Sequence, residues 1–270
     1  MNGLRLNIFH SSLVVEGEPM AKLSVVVICF NEEAILDKCL AAVQWADEIV
    51  VLDSFSTDRT VEIARQYTTR VFQNEWQGYA RQKALALSHA SHSWILSLDA
   101  DEVVSPGLAE EIRSILADEP NLAGYRVPRM TFYLGRFLRH CWYPDFKVRL
   151  FQKALGRWSE HEVHESILLE GPSGKLKHPL LHYSFPSIQD HLSTIQQYTS
   201  LGAASLARSG RTFSLARLLG SPLFMFLQQY VGKRGFLDGI PGLVASVLSG
   251  YHEFVKYAKL YELTKKVQGS

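Results

Sequence analysis

The chain has 270 residues, of which 47% are hydrophobic and 20% are charged, a balance typical of a folded globular protein and not of a disordered one. Its formal net charge is only +1, so we predict no nucleic-acid polymer as a partner, because neutralising many phosphates requires a clear basic excess. The three cysteines, Cys29, Cys39 and Cys141, form no CxxC pair. This spacing argues against a disulfide framework and a thiolate zinc site, and it favours a reducing cytosol.

Residues 1–21 are predicted to be an N-terminal extension. They lack the long apolar core of a signal peptide and contain Glu16 and Glu18, so we do not expect a cleaved leader. Translation is expected to start at either Met1 or Met20.

After this extension, apolar runs alternate with amphipathic stretches. The run "LSVVVICF" at 23–30 is continuously apolar and β-branched, as expected of a strand that is buried on both faces of a sheet. Residues 32–44 have apolar side chains at helical spacing and two glutamates in the first turn, which favours a helix. Such alternation indicates βαβ units and a doubly wound α/β sheet. Further strands are predicted at 48–53, 70–74 and 93–99, and further helices at 58–67, 78–90 and 105–118.

Acidic and polar side chains follow several of these predicted strands. Ligands of open parallel sheets bind outside the carboxyl ends of the strands. Carboxylates gathered there would repel one another, and a divalent cation, Mg²⁺ or Mn²⁺, would relieve that repulsion because such ions prefer oxygen ligands. The alternative is that the acidic residues only cap the next helix. The residues concerned are Asn31, Glu32, Asp53, Asp99 and Asp101.

Three motifs in order resemble the inverting GT-A glycosyltransferases of family 2. They are "SVVVICFNEE", "VVLDSFSTDRT" and "LSLDADE", the last containing a DxD pair at Asp99 and Asp101. The later segments "DFKVRLFQK", "HEVHES", "LLHYSF" and "GFLDGIPGL" resemble the lipopolysaccharide-core β-1,4-glucosyltransferases, which act on an inner-core heptose. The resemblance implies a GT-A catalytic domain over 22–186, with a Rossmann-like, mostly parallel sheet flanked by helices. It also implies a C-terminal helical, membrane-associating region over 187–270.

The resemblance further implies how a donor would bind. A nucleotide sugar, with UDP-glucose as the expected donor, would lie with its base and ribose near Asn31, Glu32 and Asp53. Asp99 and Asp101 would hold the metal that bridges the diphosphate oxygens. Inversion in a single displacement then requires a base that takes the proton from the attacking acceptor hydroxyl.

The candidates for that base lie in "HEVHES". Its resemblance to the core glucosyltransferases favours Glu165 as the base with His164 beside it, and Glu162 is the alternative base. The two histidines are three residues apart, whereas the zinc-protease motif needs four, so that kind of site is excluded. An exposed loop without a catalytic role remains the structural alternative.

Three further side chains are candidates for the donor site. His182 lies among apolar residues, where it would complete the metal shell, bind the diphosphate or serve only as a core histidine. Arg149 lies in an apolar strand and needs an anionic partner there, either a phosphate or an active-site carboxylate. Lys147 is two residues away, on the same face of a regular strand, and is expected to share that role.

From Leu215 onward the chain is rich in Leu, Phe and Tyr with interspersed Lys and Arg. No stretch reaches the roughly 20 uninterrupted apolar residues that span a bilayer. The pattern favours helices that lie in the headgroup layer, so we expect a peripheral protein on the cytoplasmic face of the inner membrane, with a lipid-linked core oligosaccharide as its acceptor. A helical cap on the sheet or a dimer contact would give a similar pattern.

Two other functions also fit part of the sequence. "SLDADEVV" satisfies the DxDxV pattern of haloacid-dehalogenase phosphatases, but that family places the motif on its first strand, and here three predicted strands precede it. A non-catalytic membrane-associated binding module is the second alternative. An absence of metal-dependent donor hydrolysis or transfer would favour the binding module.

Overall fold

The computed structural model describes residues 21–118, 121–159 and 166–268. Over these residues the chain folds into one large sheet, a small two-stranded sheet and seven α-helices. The strands are β1 (Leu23–Cys29), β2 (Glu48–Asp53), β3 (Val71–Gln73), β4 (Trp94–Asp99), β5 (Glu102–Val104), β6 (Gly124–Tyr133), β7 (Arg136–Phe137), β8 (Asp145–Gln152), β9 (Gly156–Trp158), β10 (Ile167–Leu169), β11 (Ser173–Lys175) and β12 (Leu180–His182).

The helices alternate with the first strands and then take over the C-terminal part of the chain. A π-helical turn (Gln228–Gly232) and a 3₁₀ turn (Gly235–Asp238) separate the last two of them. The helices are α1 (Leu36–Ala41), α2 (Thr60–Tyr67), α3 (Tyr79–His89), α4 (Pro106–Ala117), α5 (Ile188–Arg208), α6 (Leu215–Leu227) and α7 (Gly239–Gln268).

The large sheet has the strand order β3-β2-β1-β4-β8-β6-β12-β5, with β7 and β11 paired to β6. The half formed by β3, β2, β1 and β4 is parallel, as the alternation of strands and helices predicts. Beyond β4 the sheet is mixed, because β8 runs antiparallel to both β4 and β6. The register pairs Cys29 with Asp53 and Ile28 with Asp99, so the carboxyl ends of three parallel strands meet at one edge.

The core lies on both faces of β1. All seven residues of this strand are buried, and they alternate between two apolar clusters. Val25 and Val27 pack into the cluster that includes α1 and α4, whereas Val26 and Ile28 pack into the cluster that includes Ala86 of α3. A strand covered on both faces is continuously apolar, which is why its sequence identifies it.

Asp238 joins the C-terminal helices to the sheet. Its buried carboxylate accepts hydrogen bonds from the backbone N–H groups of Arg139, His140 and Cys141 at 3.0, 3.0 and 2.8 Å. Burial alone would raise the pKa of Asp238, but these hydrogen bonds outweigh burial and hold the pKa below its ordinary value. The 3₁₀ turn before α7 is therefore fixed to the segment between β7 and β8.

One side of α6 and the start of α7 exposes an apolar surface, which we call the apolar face. None of the helices described here combines the length and hydropathy that crossing a bilayer requires. Residues 211–237 carry four basic side chains and no acidic one. The apolar face comprises Leu215, Leu219, Leu223, Phe224, Leu227, Val231, Phe236, Leu237, Ile240, Leu243 and Val247.

The three cysteines are free and buried. Burial raises the pKa of the Cys29 and Cys39 thiols well above the usual range and that of Cys141 to about 11. They act as small apolar side chains of the interior.

The start of α7 approaches the preceding turn too closely for any side chain. A Cβ atom on Gly242 would lie 2.0 Å from the carbonyl oxygen of Gly235 and 2.8 Å from Cβ of Asp238. We expect Gly242→Ala to lower the free energy of unfolding by about 1–3 kcal/mol or more, since backbone atoms must move. Urea denaturation followed by circular dichroism measures the change.

Gly220→Ala is the matched control, because Gly220 lies on exposed α6 with no atom within 4 Å of its added Cβ. This control is expected to gain about 0.5–1 kcal/mol from helix propensity. Equal stability of the two variants would contradict the close packing of α7 against the Asp238 turn.

Candidate active site

The loops after β1 and β2 bind each other and form one rim of the site. Asn31 has a left-handed backbone, with φ of 54°, and its N–H donates to Oγ of Ser56 at 2.8 Å. The side-chain oxygen of Asn31 accepts a hydrogen bond from the N–H of Thr57 at 2.8 Å. The exposed Asn31 is therefore held rigidly at the carboxyl end of β1, where the sequence places it.

Asp53 lies at the end of β2 but is completely buried. Its carboxylate accepts hydrogen bonds from the N–H and hydroxyl of Ser56, and from Nε2 of Gln73 at 3.0 Å. These protein groups already contact its oxygens, and the direct contact of Asp53 with the base or ribose stays a prediction. Asp53 shapes the loop that binds Asn31.

Glu32 is the third residue after β1 and is partly buried. Burial, together with the negative charges of Asp101, Asp58 and Asp99, raises its pKa to about 7. An extra positive charge placed among these carboxyl groups would favour the ionised form of Glu32. The clustered carboxyl groups at this edge of the sheet therefore attract cations.

A buried arginine lies between the acidic residues of β4 and β5. Nη2 of Arg149 is 2.7 Å from Oδ2 of Asp99 and 2.6 Å from Oε1 of Glu102. Arg149 is only 5% exposed and Glu102 is 0% exposed. Burial alone would lower the pKa of Arg149, but the two carboxylates outweigh burial and raise it. Carboxylates of the site thus supply the anionic partner that a buried arginine requires.

Asp99 also contacts a second cation, Lys83 of α3. Nζ of Lys83 is 2.8 Å from Oδ1 of Asp99, and the lysine side chain is only 4% exposed. Burial alone would raise the pKa of Asp99, but the charges of Arg149, Lys83 and His182 outweigh it and lower the pKa far below its ordinary value. Both carboxylate oxygens of Asp99 therefore face cations, and its role as a metal ligand with Asp101 stays a prediction.

Lys83 was not among the predicted site residues. The one signal in the sequence is a lysine that falls on the sheet-facing side of α3, next to the buried Gln82 and Ala86. Helical spacing alone does not show which strand end such a lysine reaches.

Asp101 and His182 form the pair that remains open to a metal. Oδ2 of Asp101 lies 3.1 Å from Nε2 of His182, and both side chains are partly exposed. The pair is positioned by the sheet, since His182 of β12 is in register with Glu102 of β5, and the N–H of Tyr183 donates to the carbonyl of Asp101 at 2.9 Å. In the described part of the chain, no three His, Cys, Asp or Glu side chains converge as a complete metal cage. Two protein ligands fit Mg²⁺ or Mn²⁺, which take their other ligands from phosphates and water.

Lys147 does not join Arg149, although the two were expected on one face of the strand. Pairing between β6 and β8 shifts from Tyr125–Leu150 to Arg126–Val148, so Arg149 is an extra residue at a β-bulge. The bulge breaks the alternation of side chains. Nζ of Lys147, a half-exposed side chain, lies instead 3.2 Å from Oδ1 of Asp145.

The predicted base Glu165, its neighbour His164 and the alternative base Glu162 lie outside the described residues. The flanks of their segment are described. The N–H of Ser159 donates to the carbonyl of Ser166 at 2.9 Å, and the ring of Trp158 lies 5.0 Å from Nζ of Lys83. Trp158, two residues before the undescribed segment, therefore lies beside the lysine that contacts Asp99.

The raised pKa of Glu32 predicts a pH dependence of stability. Because the folded-state pKa of about 7 exceeds the ordinary value of 4.5, the stabilisation is complete below about pH 4.5 and is lost as the pH rises through 7. The free energy of unfolding should therefore decline as the pH rises, and we expect Glu32→Gln to remove the part of the decline that is due to Glu32. Urea denaturation between pH 5 and 8, with EDTA and without nucleotide, measures it. Glu33→Gln, at the exposed neighbouring position, is the control; parallel pH profiles of wild type and Glu32→Gln would contradict the assignment.

Comparison with known proteins agrees with this geometry. The glycosyl transferase family 2 model matches residues 24–165. The chain is 30% identical over 256 residues to a lipopolysaccharide core biosynthesis glycosyltransferase, LpsC, of Rhizobium meliloti (strain 1021), with 90% of this chain and 93% of that protein covered. It is 31% identical over 260 residues to an uncharacterized glycosyltransferase of Rickettsia typhi (strain ATCC VR-144 / Wilmington), covering 92% and 89%.

Among solved structures, the mannosyltransferase PcManGT from Pyrobaculum calidifontis, in complex with GDP-Man and Mn²⁺, superposes with a TM-score of 0.54 at 13% identity, over 90% of this chain and 87% of that one. At that identity the likeness shows the fold alone, which is the GT-A fold. The family leaves no support for the phosphatase alternative. The strand order, the acidic edge and the matched family model together show that the chain belongs to glycosyltransferase family 2.

Proposed function

We propose that this enzyme transfers a hexose, with glucose from UDP-glucose as the first candidate, to a heptose of the lipopolysaccharide core or a related membrane glycolipid. The observation that carries the proposal is the open Asp101–His182 pair, 3.1 Å apart, at the edge where the parallel strands of a family 2 enzyme end. The similarity to LpsC, a lipopolysaccharide core biosynthesis glycosyltransferase, supports the choice of acceptor.

The donor side of the site is the parallel half of the sheet. Asn31 forms the rim at the end of β1, where it is exposed and has a left-handed backbone. Glu32 lies next to it, with a pKa of about 7 that a cation-bound diphosphate would perturb. The nucleotide would lie over these strand ends, as ligands of open parallel sheets do.

Asp101 and His182 would hold the divalent ion. When bound, the ion supplies charge neutralisation for the departing nucleoside diphosphate. The solved neighbour PcManGT contains Mn²⁺ with its nucleotide sugar, which supports either Mn²⁺ or Mg²⁺ here. Arg149 and Lys83 keep the charge of Asp99 balanced, so that Asp101 can point away from it toward the donor.

Inversion of the anomeric carbon requires a base on the acceptor side. We assign this proton acceptor to Glu165, with Glu162 as the alternative. The described flank of their segment supports the assignment, because Trp158 contacts Lys83, which in turn contacts Asp99. A carboxylate there would take the proton of the attacking hydroxyl as the new bond forms.

Asp101→Asn tests the catalytic proposal. We expect transfer from UDP-glucose to fall by about 100-fold or more, because one of only two protein ligands is lost. Manganese titration by electron paramagnetic resonance in the presence of UDP should show weaker binding in the same variant. Asp118→Asn, at an exposed aspartate after α4, is the control.

A panel of nucleotide sugars with and without Mn²⁺ or Mg²⁺ identifies the donor. Unchanged turnover and manganese affinity in Asp101→Asn would refute the metal role. Absence of both donor hydrolysis and transfer in wild-type protein would instead support the alternative of a non-catalytic binding module.

We also propose that the apolar face lies on the cytoplasmic surface of the inner membrane. The face exposes large apolar side chains to water, which is unfavourable: the exposed fractions are 60% for Leu223, 65% for Phe224 and 75% for Ile240. The surrounding segment, 211–237, carries only positive charges, which suits anionic headgroups. A helical cap does not explain this surface, because among the described residues it is solvent-exposed; a dimer contact remains the competing explanation.

The double substitution Phe224→Ser with Ile240→Ser tests the membrane proposal. It should reduce flotation with vesicles of anionic phospholipid severalfold, because apolar area is removed from the interface. Leu168→Ser, which changes a 41% exposed leucine on β10, should leave flotation unchanged. The proposal fails if wild-type protein does not bind vesicles but forms a dimer, and the double variant is monomeric. In that case the apolar face is a contact between subunits.

A further inference from the structure

We propose that a cleft of about 550 Å³ between the sheet and helices α5 to α7 is the acceptor subsite, and that it binds a sugar bearing a phosphate or carboxylate. The inference rests on the proposed function and assigns its second substrate to a place in the fold. The volume suits one or two sugar residues, within the usual range of small-ligand clefts.

The cleft is continuous with the catalytic edge. His182, which pairs with Asp101, lines it directly. Arg129 and Asp145 also line it, and the guanidinium of Arg129 lies 2.7 Å from Asp145 and 3.4 Å from Glu102. One wall of the cleft therefore ends at the residues that surround the donor diphosphate, which is where an attacking hydroxyl must arrive.

Aromatic side chains form a second wall. Trp142, Phe185 and Tyr198 line the cleft. The indole of Trp142 is fixed, since its Nε1–H donates to Oγ of Ser249 at 2.9 Å, and its ring packs edge-on against Phe185. Tyr198, on α5, is 39% exposed. Rigid aromatic faces beside a few polar groups are the usual lining of a site for an amphipathic ring.

Lys233 supplies the unpaired positive charge of the cleft. It is partly buried, and within the described residues its ammonium group forms no ion pair and no side-chain hydrogen bond. The acidic side chains of the lining are already paired, Asp145 with Arg129 and Glu253 with Lys256. Burial lowers the pKa of His191 to about 4 and also lowers that of His252. A partly buried, unpaired cation is costly without an anion, so the cleft favours a negatively charged sugar.

Helix α6 lies between the cleft and the apolar face, so it also suggests where the lipid part of a lipid-linked acceptor would lie. Met225 of this helix and Gln229 of the following turn line the cleft, whereas Leu223 and Leu227 of the same helix are exposed on the apolar face. A glycan in the cleft and its acyl chains in a membrane would thus lie on opposite sides of one helix.

The test uses purified full-length protein and deacylated lipopolysaccharide core oligosaccharide in three forms: intact, dephosphorylated, and with its carboxylates amidated. Binding is measured by equilibrium dialysis without donor, and the acceptor KM by transfer from the active nucleotide sugar. Lys233→Gln should weaken binding of the intact form, and raise its KM, by about tenfold or more. In the form from which the anion recognised by Lys233 has been removed or neutralised, wild type and Lys233→Gln should bind equally, which distinguishes phosphate from carboxylate.

Tyr198→Ala should weaken all three forms alike, while the KM for the donor stays unchanged in both variants. The controls are Lys177→Gln and Tyr261→Ala, at exposed residues that do not line the cleft. The proposal is overturned if wild-type protein binds none of the oligosaccharides, or if Lys233→Gln and Tyr198→Ala both behave like the controls. If wild-type protein binds the oligosaccharide but turns over no nucleotide sugar, the proposed transferase activity is refuted, whereas the proposed subsite is supported.

Discussion

The contact between Arg149 and the carboxylates of Asp99 and Glu102 is the interaction on which the site depends. Three acidic residues lie within the four positions 99–102 at the end of β4, and one buried guanidinium contacts two of them at 2.7 and 2.6 Å. Without this cation, carboxylates so close together would repel one another. The arginine neutralises Asp99 and Glu102, whereas Asp101 pairs with His182.

The parallel half and the mixed half of the large sheet contribute different residues to the site. The parallel strands carry the loops that face the donor, with Asn31 and Glu32 on their edge. The mixed half contributes His182 through β12 and the bulged arginine through β8. The catalytic edge exists only where the halves meet, and Asp238 keeps the C-terminal helices fixed to the mixed half.

The sequence predicts the parallel half well, because strands buried on both faces are continuously apolar and the helices between them have clear periodicity. The predicted strands at 48–53 and 93–99 agree with β2 and β4 to within a residue. The first helix is shorter than predicted, since the residues before Leu36 form turns whose backbone bonds to Thr60. The candidates Asp101, His182 and Arg149 do converge, because ends of neighbouring strands must meet.

The remaining differences come from tertiary structure. The bulge at Arg149 depends on the register with β6, a strand more than 15 residues earlier, so the sequence of β8 alone predicts regular alternation. From its position at the end of a predicted strand, Asp53 is expected to be exposed. In the structure, Gln73 from β3 and the loop that contains Ser56 enclose it. Lys83 reaches Asp99 from a helix whose rotation about its axis is set by packing, and no local pattern encodes that rotation.

The enclosure of the cysteines has a practical use. Cys29, Cys39 and Cys141 are each nearly inaccessible, and their elevated pKa values leave almost no thiolate at neutral pH. Maleimide reagents should therefore pass over all three in the folded enzyme. A single cysteine introduced on an exposed loop would then carry a fluorophore or spin label at a defined site, without first replacing the native thiols.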